Sequence, residues 1–151
     1  MLVLLAVAGG TAAGLLAVQS ALNAPASDVK AAQAAATSHT TAFGPSSVLV
    51  TTHPGGIVCY RVIEPAGSSH ACRARVRPSQ IGFTVSPRAI GGVAGSAVRA
   101  VIVKFTRRGT KWATLRDGVF YADVPVPYRV RAVVKVLRDG TRERFAVTPS
   151  A

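Results

Sequence analysis

The sequence predicts an all-β domain of the sandwich type, carried behind an apolar N-terminal helix. Three observations lead there. From about residue 43, short runs rich in Val, Ile, Tyr and Phe alternate with Gly, Pro and Asp turn signals, spaced about every 8–12 residues. Nothing in that region repeats its apolar positions at helical spacing. Before it, residues 1–18 (MLVLLAVAGGTAAGLLAV) are apolar or small throughout, the first charged side chain is Asp28, and every Arg comes after residue 60.

The apolar start has the character of an address. A signal-peptide core spans roughly 7–15 residues and a membrane-spanning helix needs about 20. Residues 1–18 fall between, and extending to Ala24 admits only Gln19, Ser20 and Asn23. Residues 1–24 are therefore expected to act as a signal-anchor or a signal peptide, with the rest of the chain outside the cytoplasm. Ala24-Pro25-Ala26 has the small-x-small form of a cleavage site, so cutting after Ala26 would leave a secreted product. No Lys or Arg precedes the apolar core, as expected if further sequence lies before Met1.

Residues 25–42, PASDVKAAQAAATSHTTA, are small and polar and are read as an Ala-rich spacer. Ser27 or Asp28 would cap a short helix running to Ala36, with almost no apolar face to bury. The β-domain is assigned to 43–151, with strands expected at 46–52, 56–63, 71–77, 80–85, 97–106, 110–116, 118–124, 129–138 and 141–147. The inward residues are expected to be Val101, Val103, Phe105, Trp112, Phe120, Val130, Ala132, Val134 and Val136.

Hairpins can be placed residue by residue. Glu64-Pro65-Ala66-Gly67 suits a turn, with Pro presetting φ at its second position. Centring there puts Cys59 directly opposite Cys72 on one face of the two strands. These are the only cysteines, and an even pair in an exported chain reads as a disulfide. Leu-Arg-Asp-Gly occurs twice, at 115–118 and 137–140, and Asp-Gly is a strong hairpin signal, so two similar hairpins are expected. Arg73-Ala74-Arg75-Val76-Arg77 alternates strictly. As a strand it would line Arg73, Arg75 and Arg77 on one face, a candidate stripe for an anionic ligand.

The chain has 18 basic and 6 acidic residues, and of these only Asp28 and Lys30 precede the β-domain. Such a surface is drawn to anionic partners, namely cell-envelope polymers or lipid headgroups. Single-stranded nucleic acid would want aromatic platforms among the Arg residues, and only Tyr60 could approach the stripe. No cofactor or metal is expected. Two Cys do not complete a zinc site, and Asp117, Asp123 and Asp139 lack the clustered spacing of a calcium loop. There is no Gly-x-Ser-x-Gly, His-Glu-x-x-His or phosphate loop, and His39, His53 and His70 sit in no nucleophile context. The chain is read as having no enzymatic activity.

Residues 89–147 carry a further pattern. Ala89-Ile90-Gly91-Gly92-Val93-Ala94-Gly95 is followed by Val98 to Val103, Trp112, Asp117-Gly118-Val119-Phe120 and Val124-Pro125, then Val130 to Val136 with Asp139-Gly140. This resembles bacterial immunoglobulin-like and fibronectin-III-like extracellular modules. The upstream Gly-Gly-Ile-Val-Cys segment with its second Cys resembles the cystine hairpin of exported proteins from high-GC Gram-positive bacteria. The resemblance implies an immunoglobulin-like β-sandwich and a structural or binding module at the cell surface. The usual immunoglobulin cystine bridges two sheets, whereas this one closes a hairpin. Three functions follow as expectations: a membrane-tethered or exported surface module; the extracytoplasmic domain of a single-pass regulator whose cytoplasmic part precedes Met1; or an electrostatic binder of anionic envelope polymers.

Overall fold

The computed structural model describes residues 36–148. The expected segment 1–24, and the capped helix expected from Ser27, lie outside the described residues. Twelve strands follow one another: β1 (Thr37–Phe43), β2 (Ser46–Thr52), β3 (Val58–Glu64), β4 (Gly67–Arg73), β5 (Ile81–Val85), β6 (Ala89–Ala94), β7 (Val98–Phe105), β8 (Thr110–Trp112), β9 (Thr114–Arg116), β10 (Val119–Asp123), β11 (Val130–Leu137) and β12 (Arg142–Ala146). They form three four-stranded antiparallel sheets. Sheet I has the order β1-β2-β3-β4, sheet II β5-β6-β10-β9 and sheet III β12-β11-β7-β8.

Sheet II is the middle layer. Alternate residues of β6 and β10 point to opposite faces. Ala89, Val93, Val119 and Tyr121 meet Val48, Val50, Tyr60 and Val62 of sheet I in one core. Ile90, Ala94, Phe120 and Ala122 meet Val101, Val103, Phe105, Val130 and Val133 of sheet III in another. Ala-Ile-Gly-Gly-Val-Ala of β6 is therefore buried at all six positions. A run without polar alternation is what a strand covered on both faces requires. Gly91 marks a close approach of sheet I. A Cβ there would lie 2.8 Å from Val62 Cγ2 and 3.1 Å from Val48 Cγ2.

Most expected strands are present, with four differences. Residues 37–42, assigned by sequence to the spacer, belong to β1, which pairs with β2 from Thr37↔Thr52 to Phe43↔Ser46. Residues 89–94, given only through the resemblance, form the central strand. β4 ends at Arg73, so 74–77 is not a strand. The expected strand 110–116 is split at Ala113 into β8 and β9, which pair in different sheets.

The expected inward set is corrected in sheet III. A bulge between Val130 and Ala132 changes the phase of β11, because one extra residue turns every later side chain over. Val130 and Val133 face sheet II, whereas Val134 and Val136 join Ile102 in a separate apolar cluster on the other face. Lys135 takes the inward position opposite Val101. It is 6% exposed, and its Nζ lies 2.6 Å from Glu143 and over the Phe145 ring. Trp112 pairs with Ile102 and so belongs to the outer face; it is 58% exposed.

The two Leu-Arg-Asp-Gly units form different turns. Asp117-Gly118 is a two-residue hairpin with both residues at positive φ, between Arg116 and its partner Val119. In the second unit only Gly140 has positive φ. Leu137 N–H donates to Thr141 O, leaving a three-residue loop in which Asp139 accepts from Thr141 N–H at 2.8 Å.

Phe120 is fully buried between sheets II and III, so Phe120→Ala is expected to cost about 3–5 kcal/mol. Trp112→Ala, on the exposed face, is expected to stay within about 0.5 kcal/mol. Urea unfolding of both variants checks the assignment; equal losses would contradict it.

Candidate functional site

The candidate stripe is split by the end of β4. Arg73 pairs with Val58 on the inner face of sheet I. Its guanidinium donates to the Ile81 carbonyl through Nη1 and reaches Gln80 Oε1 at 3.4 Å through Nη2. The phenol of Tyr60 shares this half-buried site; burial raises its pKa, against the opposing charge of Arg73. Arg73 is thus a latch from β4 to the start of β5. The chain then turns, with Gln80 N–H donating to Arg77 O and Arg77 N–H to Gln80 Oε1. Arg75 and Arg77 leave the sheet on this loop and are exposed, and the Arg75 stem rests 3.5 Å from where a Gly56 Cβ would be. The alternation of 73–77 is legible as sequence, but Pro78 and the Arg73 latch interrupt the strand.

The disulfide is present. Cys59 and Cys72 pair directly across β3 and β4, Cα atoms 4.0 Å apart, in the register centred on Pro65-Ala66. The bridge lies on the outer face of sheet I, in the row Ser38–Thr51–Cys59–Cys72. Arg61 and His70 pair in the next row. A closed loop of this length is worth about 3 kcal/mol on the chain-entropy account.

Four of the five acidic groups in the described region have partners within the fold. Glu64, 7% exposed, accepts from Arg88 N–H at 2.9 Å. Asp123 accepts from the Tyr121 hydroxyl at 2.7 Å and lies 3.8 Å from Lys111. Glu143 pairs with Lys135, and Asp139 accepts from Thr141 N–H, which lowers its pKa. Asp117 occupies a left-handed turn position. The basic groups contrast: every described Arg and Lys except Arg73 and Lys135 is exposed. Among the described residues the only ion pairs are Lys111–Asp123 and Lys135–Glu143.

Tyr121 joins two sheets. Its hydroxyl is 2.9 Å from Ser46 Oγ of sheet I, and its ring stacks on Phe43 at 5.2 Å. Its pKa is pushed up to about 12, first by burial; the Ser46 hydrogen bond works against this and Asp123 adds to it. Among the described residues no group of three or more His, Cys, Asp and Glu side chains could hold a metal ion. His39 stands opposite Val50, His53 precedes the Pro54–Gly56 turn and His70 faces Arg61, so the sheet register brings no carboxylate opposite any of them. No described helix is long and apolar enough to cross a membrane.

Removing the Arg73 latch leaves the Ile81 carbonyl without its donor. Arg73→Met is therefore expected to cost about 1–3 kcal/mol, while Arg75→Ser/Arg77→Ser leaves the urea midpoint nearly unchanged. Tyr121 gives a pH signature. Its folded pKa lies above the ordinary value of 10.0, so its contribution is complete below about pH 10 and is lost as pH rises towards 12. The melting temperature should fall across that window, less steeply in Tyr121→Phe; identical slopes would remove Tyr121 as a cause.

No family model matches the chain, and no curated protein or solved structure matches it.

Proposed function

We propose that this chain is an immunoglobulin-like β-module acting outside the cytoplasm, tethered or exported through residues 1–24, with a binding role at the cell surface and no catalysis of its own. The strand order supports the fold reading. Sheet II, β5-β6-β10-β9, follows the A-B-E-D order of an immunoglobulin-like sandwich, and sheet III, β12-β11-β7-β8, the G-F-C-C′ order. Sheet I is then an additional layer on the A-B-E-D sheet. The cystine supports an oxidising compartment.

The observation that carries the binding role is the unequal use of charge. Four of the five described carboxylates are engaged within the fold, at seams and turns, while the cations stand exposed and largely unpaired among the described residues. With a net charge of +12, the surface is matched to a polyanionic partner in the cell envelope. Arg75 and Arg77 contribute to this surface; Arg73 serves the fold.

Full-length protein in non-ionic detergent should be retained on an immobilised sulfated or phosphorylated polymer and elute as salt rises, since exposed charges are screened at short range. Arg75→Ser/Arg77→Ser should elute earlier. Passage of the parent protein through the column at low salt would refute the electrostatic role. Fractionation of the host cell with N-terminal sequencing of the product checks the compartment, and a cytoplasmic product with two free thiols would end that part of the reading.

A further inference from the structure

Three connections meet at the end of the sandwich opposite Thr37: the 86–88 turn, the 106–109 turn and the 124–129 loop. Val124 N–H donates to Arg88 O at 2.8 Å, Thr106 N–H to Arg129 O at 3.0 Å, and Arg129 N–H to Thr106 Oγ1 at 3.3 Å. Thr37 lies at the other end, across β1 and β2 at Thr52, near the start of β5 that Arg73 holds.

The two outer connections, with the end of β12, enclose a cleft of about 600 Å³. Its walls include Val85, Val124, Val126, Tyr128, Val130 and Val147. Val126 is 63% and Val85 37% exposed, and stacking on Phe105 at 6.1 Å fixes the Tyr128 ring. Arg88 and Arg129 also line it, and among the described residues no carboxylate does. No described residue accepts a hydrogen bond from either guanidinium or pairs with it.

A second observation is independent of the cleft. Arg107 and Arg108, next to Thr106, both sit at positive φ, 60° and 69°. Residues other than Gly and Asn avoid this region because Cβ crowds the backbone. Two successive Arg residues here hold a strained turn where Asn-Gly would be relaxed, and strain of this kind gathers at functional sites. Their side chains are exposed, and no described group partners them.

We infer that this end of the module docks an acidic peptide segment, seating an apolar side chain in the cleft and placing carboxylates on Arg88, Arg129 and the Arg107-Arg108 tip. The occupant is a peptide because it must offer both chemistries together. A bare polyanion leaves Val85, Val124, Val126 and Val130 unused. A planar bilayer surface does not explain why the apolar side chains line a concave cleft. The inference takes its extracytoplasmic setting from the proposed function but not its geometry, so each can fail alone.

The probe is a short fluorescein-labelled peptide alternating Val and Glu, titrated by fluorescence polarisation with full-length protein in non-ionic detergent. Arg88→Ser/Arg129→Ser is expected to weaken binding about tenfold. Arg142→Ser/Arg144→Ser, which removes the same charge from β12, should change it less than about twofold. Replacing Val by Gly in the peptide should weaken binding, and so should replacing Glu by Gln. Arg107→Asn/Arg108→Gly is expected to raise the melting temperature while weakening binding. Equal loss from the two Ser pairs, full binding of the Gly peptide, or equal competition by polyphosphate would overturn the site in favour of unspecific attraction. Polymer retention with no peptide binding would overturn this inference alone; peptide binding without polymer retention would overturn the proposed function alone.

Discussion

The structure depends on one strand being dry on both sides. β6 has no polar side chain and two adjacent glycines, and β10 beside it buries Val119, Phe120, Tyr121 and Ala122 to two opposite faces. Burial of apolar surface is the main stabilising term, at about 25 cal/mol per Å². A sheet covered twice gathers that term from both faces, so a chain of this size can hold three layers with short strands. It also explains why sheet I is required: without it Val93, Val119 and Tyr121 would meet water.

Such a core penalises unsatisfied polar groups, and the chain resolves most of them at its seams, Ser69 Oγ and Arg73 Nε being buried without a partner. Tyr121 reaches Ser46 of sheet I and Asp123, and Asp123 leans towards Lys111 of sheet III, so one polar chain touches all three layers. Glu64 closes the sheet I turn onto the backbone of Arg88. Lys135, turned inward by the bulge, is accommodated by Glu143 and the Phe145 ring. These interactions engage three of the five described acidic residues. The basic exterior is thus coupled to the interior: each carboxylate drawn into a seam leaves cations outside without a counter-charge.

The sequence made legible what depends on local chemistry. Pro65 and Gly67 fix a turn, the turn fixes the register, and the register puts Cys59 opposite Cys72. Asp117-Gly118 fixes a hairpin in the same way. What stayed hidden depends on distant partners. Thr37–Phe43 has no strand pattern of its own beyond β-branched Thr, and becomes β1 because β2 offers an edge. The bulge at Arg131 has no signature, yet it turned Val134 and Val136 outward and Lys135 inward. Arg73, Arg75 and Arg77 alternate as a strand would, but the Ile81 carbonyl captures the first. Trp112 reads as core by its size, and only its pairing with Ile102 turns it away from sheet II.

The two ends of the module differ in how their cations are held. Near Thr37, Arg73 is latched to the backbone and the Arg75 stem packs over Gly56, so the fold accounts for part of what these residues do. At the opposite end Arg107 and Arg108 make no ion pair among the described residues and strain the fold, since the turn they occupy favours Gly or Asn. A residue that relaxes the fold when replaced is poorly explained by stability. On the neighbouring 124–129 loop Val126 stands exposed, where a polar residue would serve solubility better. Strain lies on the 106–109 turn, exposed apolar surface on Val85 and the 124–129 loop, and unpaired charge on all three connections; each disfavours the isolated domain, and all fall at one end of the sandwich. Their coincidence is accounted for if those loops are complete only with a partner in place.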